Sequence, residues 1–302
     1  MIVEKGIKRM YNKIDTLART LVGNLLKVSF FIDWKLNKNI KKSKCRANQV
    51  IVSLTSYGER VSKSAALVVY SLMKQSVQPD KIVLWLDENK WNNDVLPSNI
   101  KYLIRNGLEV RFCKDLRSFT KLIPALKEFP EKCIITVDDD VFYSPQMVYE
   151  LLENYKKNPK SISCLHFCIV DLNKNGTIKP YYEWEECHVV SNDREINERY
   201  IFPQGYGGVL YPPYIFDECV LDYDTAQKLS PSADDVWFYC MGLKNGAKRS
   251  YPCNSKTKYY LVDMFRQLIK KDRLNELNVK SADSNGRQLV NVLKYYNISI
   301  NE

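Results

Sequence analysis

Cys133-Ile-Ile-Thr-Val-Asp-Asp-Asp140 is a short apolar run that stops in three carboxylates. A run of this length bounded by polar residues reads as a strand buried on both faces. Upstream, Val50-Ile-Val-Ser-Leu54 is another such strand, followed by the turn-like Thr55-Ser-Tyr-Gly58 and by a helix through Ala65, Leu67, Val68, Leu72 and Met73, which Pro79-Asp80 is expected to stop. Lys81-Ile-Val-Leu-Trp-Leu86 is a third, ending at Asp87, and Leu108 to Cys113 is a fourth. Strand, helix and strand in this succession predict parallel pairs joined by right-handed crossovers. The fold class expected is α/β, with a mostly parallel central sheet flanked by helices.

Downstream of the acidic triplet, helices are predicted over Leu122 to Phe129, Pro145 to Lys157, Phe216 to Leu229 and Asp234 to Lys244. Ser163 to Val170 reads as a strand and Asp171 to Gly176 as a turn. Gly205-Tyr-Gly-Gly208 reads as a loop, and the tail from Tyr259 mixes helix and loop. At the other end, Val3, Ile7, Met10, Ile14, Leu17, Leu21, Leu25 and Val28 recur at three- and four-residue spacing, which makes residues 2–32 a basic amphipathic helix. Phe30, Phe31 and Trp34 lie near its end, and the polar run Asn37 to Gln49 reads as a linker. Such a helix would lie on an anionic membrane, pack on the main domain, or pair with a second copy.

Charge separates this segment from the rest. The 302 residues carry a net +10. Residues 1–48 hold twelve basic side chains against three acidic ones, so nearly all of the excess belongs to them. A nucleic-acid-binding face spread over the domain is therefore not expected. No stretch resembles a membrane span or a cleavable signal peptide. Nine cysteines without a C-x-x-C pattern suit reduced, mostly buried thiols and a cytoplasmic chain. With only His166 and His188, a multi-histidine zinc site is excluded, so any metal would be held mainly by carboxylates.

The acidic triplet carries the strongest chemical signal. Side chains at i and i+2 of a strand point the same way, so Asp138 and Asp140 are expected to face one side together and Asp139 the other. Two carboxylates so close repel unless a cation neutralises them, and Mg²⁺ or Mn²⁺ takes one or two carboxylates with phosphate oxygens and water. Strand ends in open α/β sheets are where ligands bind. Asp234-Asp235 opens a predicted helix, where the dipole tolerates acids and where one carboxylate at a pocket edge would serve as a general base. The glycines after Gln204 allow close approach of backbone to ligand, and Tyr206 and Tyr211 would stack on a sugar. His188 reads as a loop histidine or an additional metal or phosphate ligand.

Ile51-Val-Ser-Leu-Thr-Ser-Tyr-Gly-Glu-Arg60, the segment Ser71 to Asp87, Thr120-Lys-Leu-Ile-Pro-Ala-Leu126, Thr136-Val-Asp-Asp-Asp-Val141, Gly205-Tyr-Gly-Gly208 and Ala233-Asp-Asp-Val-Trp237 occur in the order seen in glycosyltransferases of the GT-A (Rossmann-like) fold. Over residues 49–250 the chain resembles bacterial family 2-like enzymes of capsule or O-antigen polysaccharide synthesis. The resemblance implies a nucleotide-sugar donor, a UDP-sugar by default, with Mn²⁺ or Mg²⁺ and a saccharide or lipid-linked saccharide acceptor. It implies that Thr55, Ser56, Tyr57 and Arg60 line the nucleotide pocket, that Asp87 meets base or ribose, and that Lys121 contacts phosphate. Asp138, Asp139 and Asp140 correspond to the D-x-D motif, with Asp138 and Asp140 on the metal. Gly207 and Gly208 correspond to the loop beside the transferred sugar. Asp235 corresponds to the base of inverting members, although Asp-Asp replaces the usual Glu-Asp and leaves Asp234 as the alternative.

The organisation expected is a basic helix and linker over 1–48, a catalytic domain over 49–260, and a helical tail over 261–302. Within the catalytic domain, 49–143 would form the nucleotide-sugar half and 144–260 the acceptor half. The activity expected is sugar transfer in cell-surface polysaccharide synthesis, inverting if base and leaving group flank the sugar on opposite faces. The location expected is cytoplasmic, peripheral on the inner face of the cell membrane through residues 1–34, without a nucleic-acid partner. Alternatives are a sugar nucleotidyltransferase, for which Thr55-Ser-Tyr-Gly58 is poor in glycine, and a non-catalytic membrane or nucleic-acid binder.

Overall fold

A computed structural model describes residues 20–187, 190, 194–255, 257, 259–262 and 285–301. Its frame is a seven-stranded sheet built from β1 (Arg46–Thr55), β2 (Gln78–Asp87), β3 (Leu108–Cys113), β4 (Cys133–Thr136), β6 (Ser161–Cys164), β10 (Val209–Tyr211) and β11 (Lys248–Ser250). The order across the sheet is β11-β6-β10-β4-β1-β2-β3. Strands β4, β1, β2 and β3 run parallel, as do β6 and β11, while β10 is antiparallel to both of its neighbours. β5 (Val141–Tyr143) pairs with β12 (Tyr259–Leu261), and β7 (Phe167–Ile169), β8 (Glu185–Cys187) and β9 (Ile201–Pro203) form a small antiparallel sheet.

The central strands read as unbroken apolar runs because both faces of the sheet are covered. Ile51, Val83, Trp85 and Ile134 point into one core, which α4 (Ile123–Glu128), α7 (Asp234–Lys244) and α8 (Asn285–Tyr296) close. Val50, Val52, Leu54, Ile82, Leu84 and Ile135 point into the other. That core is closed by α1 (residues 20–35), α2 (Ala66–Leu72, entered through a π turn at Val61–Ala65), α3 (Ser98–Arg105) and α5 (Met147–Lys157). Among the described residues the other α-helix is α6 (Tyr223–Leu229).

Several elements differ from expectation. The linker ends early, because β1 begins at Arg46. The chain before it is tied to α3, with the Tyr102 hydroxyl donating to the Lys38 carbonyl at 2.9 Å and the Ile40 amide to Asn106 Oδ1 at 2.8 Å. Pro79 stops no helix: α2 ends at Leu72, and Pro79 is the second residue of β2, where its missing N–H is tolerated. Ser163 to Val170 splits at Leu165-His166 into strands of two different sheets. Phe216 to Leu229 is a 3₁₀ turn and then α6, separated by Asp222, whose carboxylate caps the helix by accepting from the Thr225 amide at 3.0 Å. Of the N-terminal stripe, Val3 to Leu17 lie outside the described residues, whereas Leu21, Leu25 and Val28 are exposed.

Candidate active site

Parallel β1, β2 and β4 carry their C-terminal ends to one edge of the sheet, and the acidic triplet follows β4 there. The strand stops at Thr136, so Asp139 and Asp140 lie in a turn and strand alternation does not govern them. Asp139 and Asp140 therefore share one cation, and Asp138 turns to another. Asp139 is buried and accepts from Ser56 Oγ at 2.5 Å and from Arg60 Nε at 3.0 Å, with a further contact to Arg60 Nη2. The same Nη2 lies 3.0 Å from Asp140 Oδ2. Burial first, and the charge of Asp138 second, push the Asp140 carboxyl up to about 6, against the pull of Arg60.

Asp138 meets Lys121, whose Nζ is 2.9 Å from Asp138 Oδ1 and 2.9 Å from Asp234 Oδ2. Lys121 closes a 3₁₀ turn, Arg117–Lys121, that is pinned near the C-terminal end of β1: Ser53 Oγ donates to the Lys121 carbonyl at 2.6 Å and accepts from Trp85 Nε1 at 2.9 Å. Burial works against the ammonium, but Asp138, Asp234 and Asp235 around it outweigh that and hold its pKa above the ordinary lysine range. Asp235 accepts from the Gly205 amide at 3.1 Å. Its carboxyl is held well above the usual carboxylate range by burial and then by Asp234, with Lys121 opposing and Asp138 adding to the rise. Asp234 is committed to Lys121 and buried, whereas Asp235 keeps partial exposure.

The glycine loop completes the site. A Cβ on Gly205 would stand 2.7 Å from both Asp235 Oδ1 and Lys121 Nζ, and one on Gly207 would stand 2.5 Å from the His166 Cβ. Gly208 has φ +92°, a conformation that side chains resist. The Tyr143 hydroxyl, buried between the triplet and this loop, accepts from the Asp138 amide at 2.8 Å and donates to the Tyr206 carbonyl at 3.0 Å.

Ser56, Arg60, Lys121, Asp138, Asp139, Asp140, Asp234 and Asp235 thus converge. Thr55 is next to them, its hydroxyl donating to the Trp85 carbonyl at 3.1 Å. Tyr57 is 65% exposed, with the Arg60 guanidinium over its ring at 5.4 Å. Asp87 ends β2 one strand away, where the Asn89 amide at 3.0 Å, and Lys90 beside it, hold its carboxyl below the usual range. Tyr211 is buried within β10 and is unavailable to a sugar, whereas Tyr206 stays partly exposed, its hydroxyl 2.6 Å from Glu186 Oε1. His188 lies outside the described residues. The sequence does not single out Tyr143 or His166 as site residues and carries no signal that would find them, whereas Gly205 is marked there only as part of the glycine loop.

Among the described residues no three His, Cys, Asp or Glu side chains are grouped to hold a metal. Asp138 and Asp140, each about one-third exposed at the side chain, still offer two carboxylates, enough for Mg²⁺ or Mn²⁺ that takes its other ligands from phosphate and water. Asp139, held by Ser56 and Arg60, is a structural acceptor instead. Comparison with protein-family models and with curated proteins found no match to this chain.

Proposed function

We propose that the chain is a metal-dependent glycosyltransferase of GT-A fold. It would move a sugar from a nucleotide-sugar, a UDP-sugar by default, to a saccharide or lipid-linked saccharide acceptor in cell-surface polysaccharide synthesis. The observation that carries the reading is one ion-pair network at the C-terminal edge of the parallel strands. It runs from the D-x-D carboxylate Asp138 through Lys121 to Asp234, with Asp235 beside it on the Gly205 amide. Five carboxylates there, Asp138, Asp139, Asp140, Asp234 and Asp235, face two cations, Arg60 and Lys121, among the described residues. Such an excess favours a further cation.

In this reading Asp235 is the base. Its raised proton affinity suits a group that takes a proton near neutral pH. As the acceptor oxygen bonds to the anomeric carbon, the hydroxyl proton passes to Asp235, and the bond from that carbon to the diphosphate oxygen breaks with its electron pair leaving on the diphosphate. Mn²⁺ or Mg²⁺ held by Asp138 and Asp140 would offset the charge developing on that leaving group. Lys121 keeps Asp138 and Asp234 at fixed separation, and Gly205 leaves room beside Asp235 that any side chain would fill. Inversion follows if base and diphosphate lie on opposite faces of the sugar.

The test combines two variants with a nucleotide-sugar screen read by thermal shift in Mn²⁺. Asp140→Ala is expected to lose both transfer and metal-dependent nucleotide binding. Asp235→Asn is expected to lose transfer and keep donor binding. Full turnover by Asp235→Asn removes that residue from the mechanism, and stabilisation by no nucleotide-sugar overturns the reading.

A further inference from the structure

Helix α1 has two apolar faces, and the structure uses one of them. Gly23, Leu26, Phe30 and Trp34 turn inward. Phe30 packs on Tyr70 and Tyr102 at centroid distances of 5.2 and 6.3 Å, and Ser29 and Asp33 both bond the Tyr70 hydroxyl, at 2.6 and 2.5 Å. The opposite face carries Leu21, Leu25, Val28 and Ile32 at three- and four-residue spacing, with exposures of 63, 69, 56 and 43%. Large aliphatic side chains in an unbroken row on an anchored helix mark an interaction surface.

We infer that this outward face of α1 is a lipid-binding surface that lays the sheet along an anionic membrane, with the catalytic edge opening beside the headgroups. Charge selects lipid over a second copy of the chain. Residues 20–48 carry seven basic side chains against Asp33 alone, and Asp33 is bound to Tyr70. Copies of so basic a segment repel one another, whereas anionic headgroups attract it. Lys35 runs back over the rings of Trp34 and Phe31, at 4.4 and 5.6 Å, placing its ammonium at the border of the apolar row as an interfacial lysine does. Among the described residues no helix is long and apolar enough to cross a membrane, and surface adsorption needs none.

The direction of α1 sets the orientation. Near its start, Gly23 lies against Phe142, two residues past Asp140, with 3.7 Å from its Cβ position to the ring. Beyond its end the chain reaches Asn106, just before β3, at the opposite edge of the sheet. The helix therefore lies over this face of the sheet with its start near the acidic triplet, and a membrane that holds it flat holds that face alongside. That this places Asp235 near a lipid-linked acceptor rests on the proposed transferase activity, but the lipid contact does not.

The test is co-sedimentation of the full chain with phosphatidylcholine vesicles with and without phosphatidylglycerol, in the absence of donor and acceptor, so that failure of the transferase reading leaves it intact. The native chain is expected to bind the phosphatidylglycerol vesicles. Leu25→Glu with Val28→Glu, at positions that touch no core, is expected to weaken that binding roughly tenfold or more while leaving the circular-dichroism melt unchanged. No binding by the native chain overturns the inference. So does unweakened binding by the double variant, or a double variant that loses self-association in light scattering while still binding vesicles.

Discussion

Replacing Lys121 by Met keeps a side chain of similar reach and removes the cation that sits 2.9 Å from both Asp138 and Asp234. Lys121 is 5% exposed, so water does not take its place, and Asp234 is left buried without its counter-charge. Breaking a buried ion pair by deleting one partner costs about 3–5 kcal/mol, and this cation serves more than one carboxylate. The loss depends on pH with a definite sign. The Asp235 carboxyl already binds its proton more tightly than an unfolded aspartate, and without Lys121 it binds it more tightly still. Stability from such a group is fully present below the unfolded pKa and is lost as pH rises through the folded one. Lys121→Met is therefore expected to be about 3–5 kcal/mol less stable near pH 7.5 and to recover part of that near pH 5, by up to about 1.4 kcal/mol for each tenfold gain in the proton affinity of Asp235. Urea unfolding at the two pH values reads both. Adding Asp234→Asn to Lys121→Met should then raise stability, because it removes the stranded charge. A deficit below about 1 kcal/mol that does not vary with pH would refute the placement of Lys121 as the shared counter-ion.

Three further outcomes follow from the same geometry. Gly205→Ala puts a methyl 2.7 Å from two fixed charged atoms, and it is expected to cost about 1–3 kcal/mol in urea unfolding and to suppress transfer; native stability and turnover would count against the close approach. Tyr143→Phe leaves the partly buried Asp138 amide and Tyr206 carbonyl without the hydroxyl that bridges them, for an expected loss of about 1 kcal/mol by the same measurement. Asp140→Asn acts in the opposite direction. The native carboxyl rises from the ordinary 3.8 to about 6, so ionising it costs the folded state above that pH. Allowing for its partial exposure, the variant should gain about 1 kcal/mol at pH 7.5, and the gain should fade toward pH 4.5.

Where an element is decided by local pattern, the chain can be read directly. β1, β2, β3 and β4 announce themselves because strands covered on both faces need apolar side chains at successive positions, and the expected and observed β3 share both ends. Helix α7 likewise runs from Asp234 to Lys244 as its acidic start and lysine end suggest. β10 is hidden. Three residues between a glycine loop and two prolines look like a turn, and they become a central strand only because β4 and β6 leave a slot between them. α1 shows another limit, since periodicity locates Leu21, Leu25 and Val28 on one stripe but is silent on whether that stripe or the one through Phe30 meets the protein.

The candidate site divides in the same way. Asp138, Asp139, Asp140, Asp234 and Asp235 stand out as acids placed at the ends of apolar segments, because composition and position along the chain suffice to show that. The pairing of each acid depends on the folded chain. The turn after Thr136 sends Asp139 and Asp140 to Arg60, some eighty residues earlier in sequence, and Asp138 to Lys121. Ser53 fixes the Lys121 backbone, and the glycine loop brings an amide to Asp235, separating the committed Asp234 from the carboxylate left to act. Charge and burial at a point in space are sums over segments distant in sequence, so the proton affinities of Asp140 and Asp235 exist only once those segments have met.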